Sequence, residues 1–158
     1  MSSDGSTVLF GAIPEHLELS AGDKRALRQF ARRLQRCVAG GGAFTCLITN
    51  DDELRRLNRD FLGRDYPTDV LSFPRASGNE SLGDIAVSSE RAKAQAQTFG
   101  HEHLDEIRIL ILHGVLHLTG MDHERDGGEM DRAERRWRVE FDLPATLIAR
   151  ASAGERAG

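Results

Sequence analysis

The segment from Leu104 to Thr119 constrains the fold more than any other part of the 158-residue chain. Its apolar residues cover nearly the whole circumference of a helix, and a helix of that kind is buried on all sides. The segment nevertheless contains His113 and His117, which are four positions apart and therefore project from the same helical face. Burying two imidazoles there without partners would cost free energy, so we expect both rings to bind a common partner.

A third histidine follows this helix at a spacing that suits a shared metal ion. Gly120 is suited to the left-handed conformation that ends helices, and beyond it the chain can turn back and bring His123 towards the pair. Three imidazole ligands leave the fourth tetrahedral position of Zn²⁺ open to water, which is typical of catalytic rather than structural sites. We predict one Zn²⁺ per chain, bound by His113, His117 and His123, although imidazoles also bind nickel, copper and iron. The alternative is a set of histidines that are hydrogen-bonded in the core.

The rest of the chain alternates between amphipathic helices and short apolar strands. Its length suits one domain with its own core, and the mixture of elements predicts an α+β fold with a small mixed sheet of about four strands and about five helices. We expect a single catalytic metalloprotein domain over residues 7–150, between disordered segments at 1–6 and 151–158. Apolar periodicity and turn residues place the strands at 7–10, 43–49, 70–73 and 82–87, and the helices at 23–38, 51–63, 89–99, 104–119 and 130–141.

Hydropathy and charge favour a cytoplasmic protein without a membrane partner. No signal peptide is recognisable, and the longest apolar run, 109–112, is far shorter than the roughly 20 residues that a membrane span requires. The formal net charge of −4 does not favour a nucleic acid as partner, but a local basic face is sufficient to bind phosphates. Basic residues cluster in the segments 24–36 and 55–64, which are either solvated helix faces or such phosphate-binding surfaces.

The identity of residue 114 indicates which class of bond the predicted metal centre hydrolyses. The spacing His-x3-His-x2-Gly-x2-His is also that of the metzincin proteases, in which a Glu that acts as general base directly follows the first histidine. Gly114 occupies that position here, so a peptidase would lack the group that activates its water and protonates the leaving amine. A metal ion can instead activate water for attack on a phosphodiester, with cationic side chains stabilising the transition state. The sequence therefore favours phosphodiesters over peptide bonds.

Three ordered blocks of the sequence carry a family resemblance. They are Asp65-Tyr-Pro-Thr-Asp-Val-Leu-Ser-Phe-Pro74, Leu82-Gly-Asp-Ile-Ala-Val-Ser-Ser-Glu90 and His113-Gly-Val-Leu-His-Leu-Thr-Gly-Met-Asp-His123. Together they resemble the YbeY family, which are bacterial single-strand endoribonucleases of ribosomal RNA maturation. The resemblance implies a zincin-like α+β fold, one divalent metal held by the three histidines on a central buried helix and its following loop, and a basic groove for single-stranded RNA. It also implies action at the 3′ end of the small-subunit RNA and in ribosome quality control, with the small subunit and processing factors as partners.

One departure from the family pattern concerns the cation expected in the cleft. The family often has an aromatic residue and an arginine before Gly-Lys-Asp, whereas the run here is Phe61-Leu62-Gly63-Arg64-Asp65. Leu62 stands at the position of the arginine, and Arg64 replaces the lysine. We hypothesise that Arg64 supplies the phosphate-binding charge, because a cation two positions away on a tight turn can still reach the groove. The alternative is a solvated turn residue.

Three further polar residues are candidates for contact with the metal ligands or with RNA. Asp122 is adjacent to His123 and either holds the ring N–H of a ligand histidine or braces the loop. Asp84 lies in a predicted strand, where Asp is disfavoured, and either bonds buried backbone or points into the cleft. Ser72 either donates a hydrogen bond to a bound phosphate or packs at the edge of the sheet.

The function predicted from these features is that of a zinc-dependent, single-strand-specific endoribonuclease acting on precursor ribosomal RNA. Its predicted catalytic residues are His113, His117, His123 and Arg64. One alternative is a metzincin-like metallopeptidase that lacks the usual Glu base. A second alternative, from another class, is a non-catalytic ribosome-assembly factor whose metal is structural.

Overall fold

The computed structural model describes residues 5–76, 80–122 and 124–144 of the chain. Within these residues four strands form one sheet: β1 Thr7–Phe10, β2 Ala43–Thr49, β3 Val70–Pro74 and β4 Ser81–Ser88. Their order is β1-β2-β4-β3, in which β1, β2 and β4 are parallel and β3 is an antiparallel edge strand beside β4. The predicted mixed sheet of four strands is confirmed, and the strand ends differ from the predicted ones by at most one residue.

The described part of the chain has five α-helices: α1 Ala21–Cys37, α2 Asp51–Leu62, α3 Ser89–Phe99, α4 His103–Leu118 and α5 Glu129–Glu140. The first four contact the sheet, and α5 packs against α4. The helices confirm the predicted α+β fold, and their ends differ from the predicted ones by at most two residues. Among the described residues, no helix combines the length and the apolar character that crossing a membrane requires. The predicted tails at 1–6 and 151–158 lie mostly outside the described residues, so the limits of the domain stay a prediction.

The two faces of the sheet pack against different helices, because residues along each strand alternate between the faces. Ile85 and Val87 of β4 face the main core, which also contains the buried apolar residues of α1 and α4. Ala86, between them, faces the other side and packs with Leu54 of α2 and Leu71 of β3. The helices α4 and α2 therefore lie on opposite faces of the sheet, and the last turn of each borders the edge strand β3.

The helix α4 is buried on nearly all sides, as its apolar circumference predicts. Ile107, Ile111 and Val115 have no exposed surface. Gly114 faces the sheet, and a Cβ atom at this position would lie only 2.9 Å from Cγ2 of Ile85. Because ordinary carbon–carbon contacts are about 3.5–4.0 Å, the glycine allows α4 to pack directly on β4. The residue that replaces the metzincin Glu therefore also has a packing role.

We predict that Gly114→Ala destabilises the protein. The added methyl group has to displace the buried side chain of Ile85, and such overpacking costs about 1–3 kcal/mol, which outweighs a gain of about 1 kcal/mol from replacing a helical glycine. Gly22→Ala in α1 is the matched control, because its Cβ would lie 3.7 Å from Oγ of Ser20, an ordinary contact. Chemical denaturation measures both free energies of unfolding. Equal stabilisation by the two substitutions would contradict the close approach of α4 to β4.

Candidate metal centre and cleft

His113 and His117 lie on the same side of α4, one helical turn apart, as their spacing predicts. Their Nε2 atoms are 3.2 Å apart, and the two ring planes are inclined at 75° with centroids 4.8 Å apart. Two nitrogens bound to one tetrahedral Zn²⁺ at 2.0–2.1 Å would be about 3.3–3.4 Å apart. The pair therefore has nearly the separation that a shared metal ion requires.

A carboxylate from α5 fixes the orientation of the His113 ring. Oε1 of Glu134 lies 2.9 Å from Nδ1 of His113, so the neutral ring donates its proton from Nδ1 and keeps its lone pair on Nε2. That Nε2 atom is the one that faces His117. Carboxylates hold metal-binding histidines in the required tautomer and orientation by hydrogen bonds of this kind.

Glu134 is held in turn by an arginine one helical turn further along α5. The side chain of Arg138 is completely buried, and its guanidinium group forms an ion pair with Oε2 of Glu134. Burial alone would raise the pKa of Glu134, but the hydrogen bond from His113, the positive charge that this ring carries when protonated and the charge of Arg138 outweigh burial and lower that pKa to about 2. The Glu134 carboxylate is therefore ionised at neutral pH. In this form it accepts a strong hydrogen bond from the N–H of His113.

The predicted third ligand, His123, lies outside the described residues, so its place beside the pair stays a prediction. Within residues 5–76, 80–122 and 124–144, no group of three His, Cys, Asp or Glu side chains is arranged to hold a metal ion. The two described imidazoles fit a metal by their chemistry, since both are nitrogen ligands and their Nε2 atoms lie 3.2 Å apart. Gly120 has a φ of 103°, which confirms the predicted left-handed turn after α4, three residues before His123.

A cleft of about 460 Å³ opens beside the histidine pair, at the edge strand β3. His117 lines it from the end of α4, and Leu62 and Arg64 line it from the end of α2 and the turn that follows. Arg64, the cation predicted to bind phosphate, therefore lines the same cleft as His117, a predicted metal ligand. The contact of Arg64 with a phosphate stays a prediction. The remaining lining residues are Leu71, Ser72, Pro74, Gly120, Met121, Asp122 and Glu124.

Ser72 borders the cleft, but its hydroxyl group makes a contact within the protein. Its Oγ donates a hydrogen bond to the carbonyl oxygen of Gly114 at 3.1 Å, which ties the edge strand β3 to α4 between the two histidines. Donation to a bound phosphate would require this bond to break. The contact therefore favours the packing alternative, and the phosphate contact of Ser72 stays a prediction.

Asp84 lies on the sheet face opposite α4, because its neighbour Ile85 faces that helix and successive strand residues alternate. Its carboxylate is 3.4 Å from the guanidinium group of Arg75, and both side chains are about half exposed. It borders a separate, mostly apolar groove on that face. The structure thus does not bring Asp84 together with the histidine pair.

Asp122 borders the cleft and braces the loop after α4. Its Oδ1 accepts a hydrogen bond from the backbone N–H of Glu124 at 3.0 Å, and its Oδ2 lies 3.5 Å from Nε of Arg125. These contacts favour the loop-bracing alternative. A hydrogen bond from the ring N–H of a ligand histidine to Asp122 stays a prediction.

Glu134 and Arg138 belong to the described site but are not among the site residues predicted from the sequence. They follow Met130 by four and eight positions and therefore lie on the apolar side of α5, beside Ala133. A carboxylate on the apolar side of an amphipathic helix, four residues before an arginine, was the available signal. The pattern does not show that α5 meets α4 at His113, because that contact depends on how the two helices pack.

The fold and the cleft define an α+β protein whose candidate site is a histidine pair on a buried helix. The sequence model of the family described as endoribonuclease YbeY matches residues 17–141, and the chain belongs to this family. The resemblance seen in the three sequence blocks is thereby confirmed.

Relatives and a solved structure agree with this assignment. The endoribonuclease YbeY of Solibacter usitatus is 55% identical over 149 residues, which cover 94% of this chain and 97% of that protein. The endoribonuclease YbeY of Koribacter versatilis is 46% identical over 135 residues, which cover 85% of this chain and 88% of that protein. The solution structure of TM1509 from Thermotoga maritima matches with a TM-score of 0.58 and 24% identity, over 85% of this chain and 91% of that one. This last similarity supports the fold alone.

We predict that Glu134→Gln lowers the affinity for Zn²⁺ about 10- to 100-fold, the usual effect of removing a carboxylate partner of a ligand histidine. Glutamine keeps the size of the side chain but removes the charge that orients His113 and balances Arg138. Glu140→Gln, at an exposed position of α5, is the matched control. Competition with a chromophoric chelator measures the affinities. An unchanged affinity in Glu134→Gln would show that Glu134 does not act on a metal ligand.

Proposed function

We propose that this protein is a metal-dependent endoribonuclease that cleaves single-stranded precursors of ribosomal RNA. The observation that carries the proposal is the histidine pair, whose Nε2 atoms are 3.2 Å apart beside a cleft that also contains Arg64. The protein's relatives, which are named endoribonuclease YbeY, supply the reaction class. Zinc as the metal, the 3′ end of the small-subunit RNA as the substrate and a role in ribosome quality control are parts of the proposal.

Each side chain has a defined task in this proposal. His113 and His117, together with His123, would hold the metal through imidazole nitrogens, while Glu134 keeps the His113 ring in the required tautomer. A divalent metal held there supplies Lewis acidity and lowers the pKa of a bound water. Arg64 would bind a phosphate oxygen beside the scissile bond, where its charge stabilises the negative charge that develops in the transition state.

Position 114 favours phosphodiester over peptide substrates. A peptidase with this histidine spacing needs a glutamate after the first histidine, but Gly114 packs against the buried side chain of Ile85. Any side chain there would start 2.9 Å from Cγ2 of Ile85, so the buried Ile85 side chain would have to be displaced or α4 would have to shift. The guanidinium group of Arg64 in the cleft is suited to phosphate rather than to a neutral peptide.

The proposed setting is the cytoplasm, with the small ribosomal subunit and RNA-processing factors as partners. The alternative of a non-catalytic assembly factor requires a structural metal, which four protein ligands usually enclose. The cleft of about 460 Å³ beside His117 favours an accessible site instead.

We predict that the zinc-loaded protein cleaves a single-stranded RNA, leaves casein intact and loses its activity in EDTA. His117→Ala should abolish cleavage, because it removes one of the ligands, whereas His16→Ala at an exposed position should not. Gel analysis of both substrates provides the measurement. Casein cleavage that EDTA stops, with RNA left intact, would identify a metallopeptidase. Metal binding without cleavage of either substrate would instead support the assembly factor.

We predict that Arg64→Ala lowers kcat/KM for RNA about 10- to 100-fold, since a charge-assisted hydrogen bond is worth roughly 1.5–3 kcal/mol. Arg64→Lys keeps a cation and should retain more activity. Arg135→Ala, at an exposed position of α5, is the matched control. If Arg64→Ala cleaves as fast as the wild type while His117→Ala is inactive, the role assigned to Arg64 is wrong and the nuclease proposal stands.

A further inference from the structure

The helix α1 carries a row of positive charges that the proposed active site does not use. Lys24, Arg28, Arg32 and Arg36 recur every four residues, so they form a stripe about 18 Å long on one side of the helix. Arg25 lies within the same arc, which covers about 120° of the circumference. These five residues form the basic face of α1, and a shallow groove of about 480 Å³ lies along it.

The charges of the basic face are not balanced by nearby acids. In the part of the chain that the structure describes, none of its five cations lies within 4.0 Å of a carboxylate oxygen. Some arginines of other helices are paired with acids: Arg56 of α2 is 2.6 Å from Glu53, and Arg132 of α5 is 3.9 Å from Glu129. Like charges four residues apart destabilise a helix. The row therefore destabilises α1 by a small amount for each pair of neighbouring cations, and a bound polyanion would offset this cost.

The overall composition does not explain the basic face. The helix α1 holds six of the 21 basic residues and one of the 25 acidic residues, so it contributes a charge of +5, while the rest of the chain has a charge of −9. The basic face is thus a local exception on an acidic protein. A local face of this kind is sufficient to hold phosphates.

The basic face lies on a helix at the opposite edge of the sheet from the cleft. The helix α1 packs against β1 and α4, and β1 is the far edge of the sheet from β3, which borders the cleft. Three strand spacings of about 4.8 Å separate the two edge strands, which makes about 14 Å. An RNA that contacts both surfaces would therefore extend beyond the nucleotides bound in the cleft.

The chemistry of the basic face suits the backbone of a duplex better than a single strand. Proteins that hold single strands combine cations with exposed aromatic rings on which the bases stack. In α1 the aromatic residue Phe30 is buried, and the neighbouring ring of Phe10 lies under Lys24 and Arg28, at 5.2 and 5.1 Å. A surface of cations without an open aromatic ring contacts phosphates and does not read bases.

We propose that the basic face of α1 binds the phosphate backbone of a double-helical RNA segment that adjoins the single-stranded substrate. The cleft selects the strand that is cut, and the basic face holds the neighbouring duplex by charge. This inference rests on the proposed endoribonuclease function and adds a substrate class, a single strand joined to a duplex.

The test compares a short single-stranded RNA with the same strand joined to a hairpin, for the zinc-loaded wild type and for Arg25→Gln/Arg32→Gln. Both arginines are exposed, so the variant is expected to fold. The hairpin should increase the affinity of the wild type, and the double variant should lose that gain. For the hairpin RNA, the slope of log Kd against log salt concentration should be smaller by about two in the double variant than in the wild type, because two phosphate contacts are lost. A four-fold rise in salt should therefore weaken wild-type binding about ten-fold more than it weakens binding by the variant. Cleavage of the single strand alone should be unchanged.

Arg132→Gln/Arg135→Gln in α5 removes the same charge from another exposed helix surface and is the matched control. The proposal is wrong if the hairpin adds no affinity to the wild type, or if both double variants lose affinity equally. It is also wrong if vesicles of anionic phospholipid bind through the basic face while the hairpin does not. Failure of the wild type to cleave any single-stranded RNA would contradict the proposed function, whereas cleavage without a gain from the hairpin would contradict this inference alone.

Discussion

The hydrogen bond between His113 and Glu134 joins the buried helix α4 to α5, and the candidate metal centre depends on it. A buried imidazole requires a partner for its polar atoms. Glu134 satisfies Nδ1 of His113, and Nε2 of the same ring faces His117. The ion pair with Arg138 continues this chain of contacts into the core. The orientation of the ring is therefore set by the packing of α5 as well as by α4.

The energetics of the pair formed by Glu134 and Arg138 favour a role in orientation rather than in stability. Removing two charged groups from water costs several kcal/mol per ion, and apolar replacements of buried ion pairs are often neutral or stabilising. Desolvation also acts against the ionised form of Glu134, yet His113 and Arg138 together lower its pKa to about 2. The carboxylate thus stays ionised over the whole range of physiological pH and can accept a hydrogen bond from Nδ1–H of His113. A neutral core of the same shape would lack this property.

Local patterns in the sequence predicted most of the fold and half of the described site. The apolar circumference of α4 predicted its burial, and the spacing of His113 and His117 predicted their shared side. In the sequence, Gly114 indicates that the general-base glutamate of metzincins is missing. The structure shows in addition that this glycine allows α4 to pack closely on β4. Glu134 was missed because its contact depends on the crossing of two helices, which periodicity does not specify. Likewise, alternation separates the two sides of β4, but only the packing of Ile85 in the core with α4 shows that Asp84 is on the side away from that helix.

X-ray absorption at the zinc edge of the metal-loaded protein tests the proposed centre most directly. The wild type should show three imidazole nitrogens at about 2.0–2.1 Å and a further oxygen ligand. His117→Ala should show fewer imidazole ligands, because that ring is one of the pair described on α4. A wild-type spectrum without imidazole ligands, or a spectrum that His117→Ala leaves unchanged, would contradict a metal centre built on this helix.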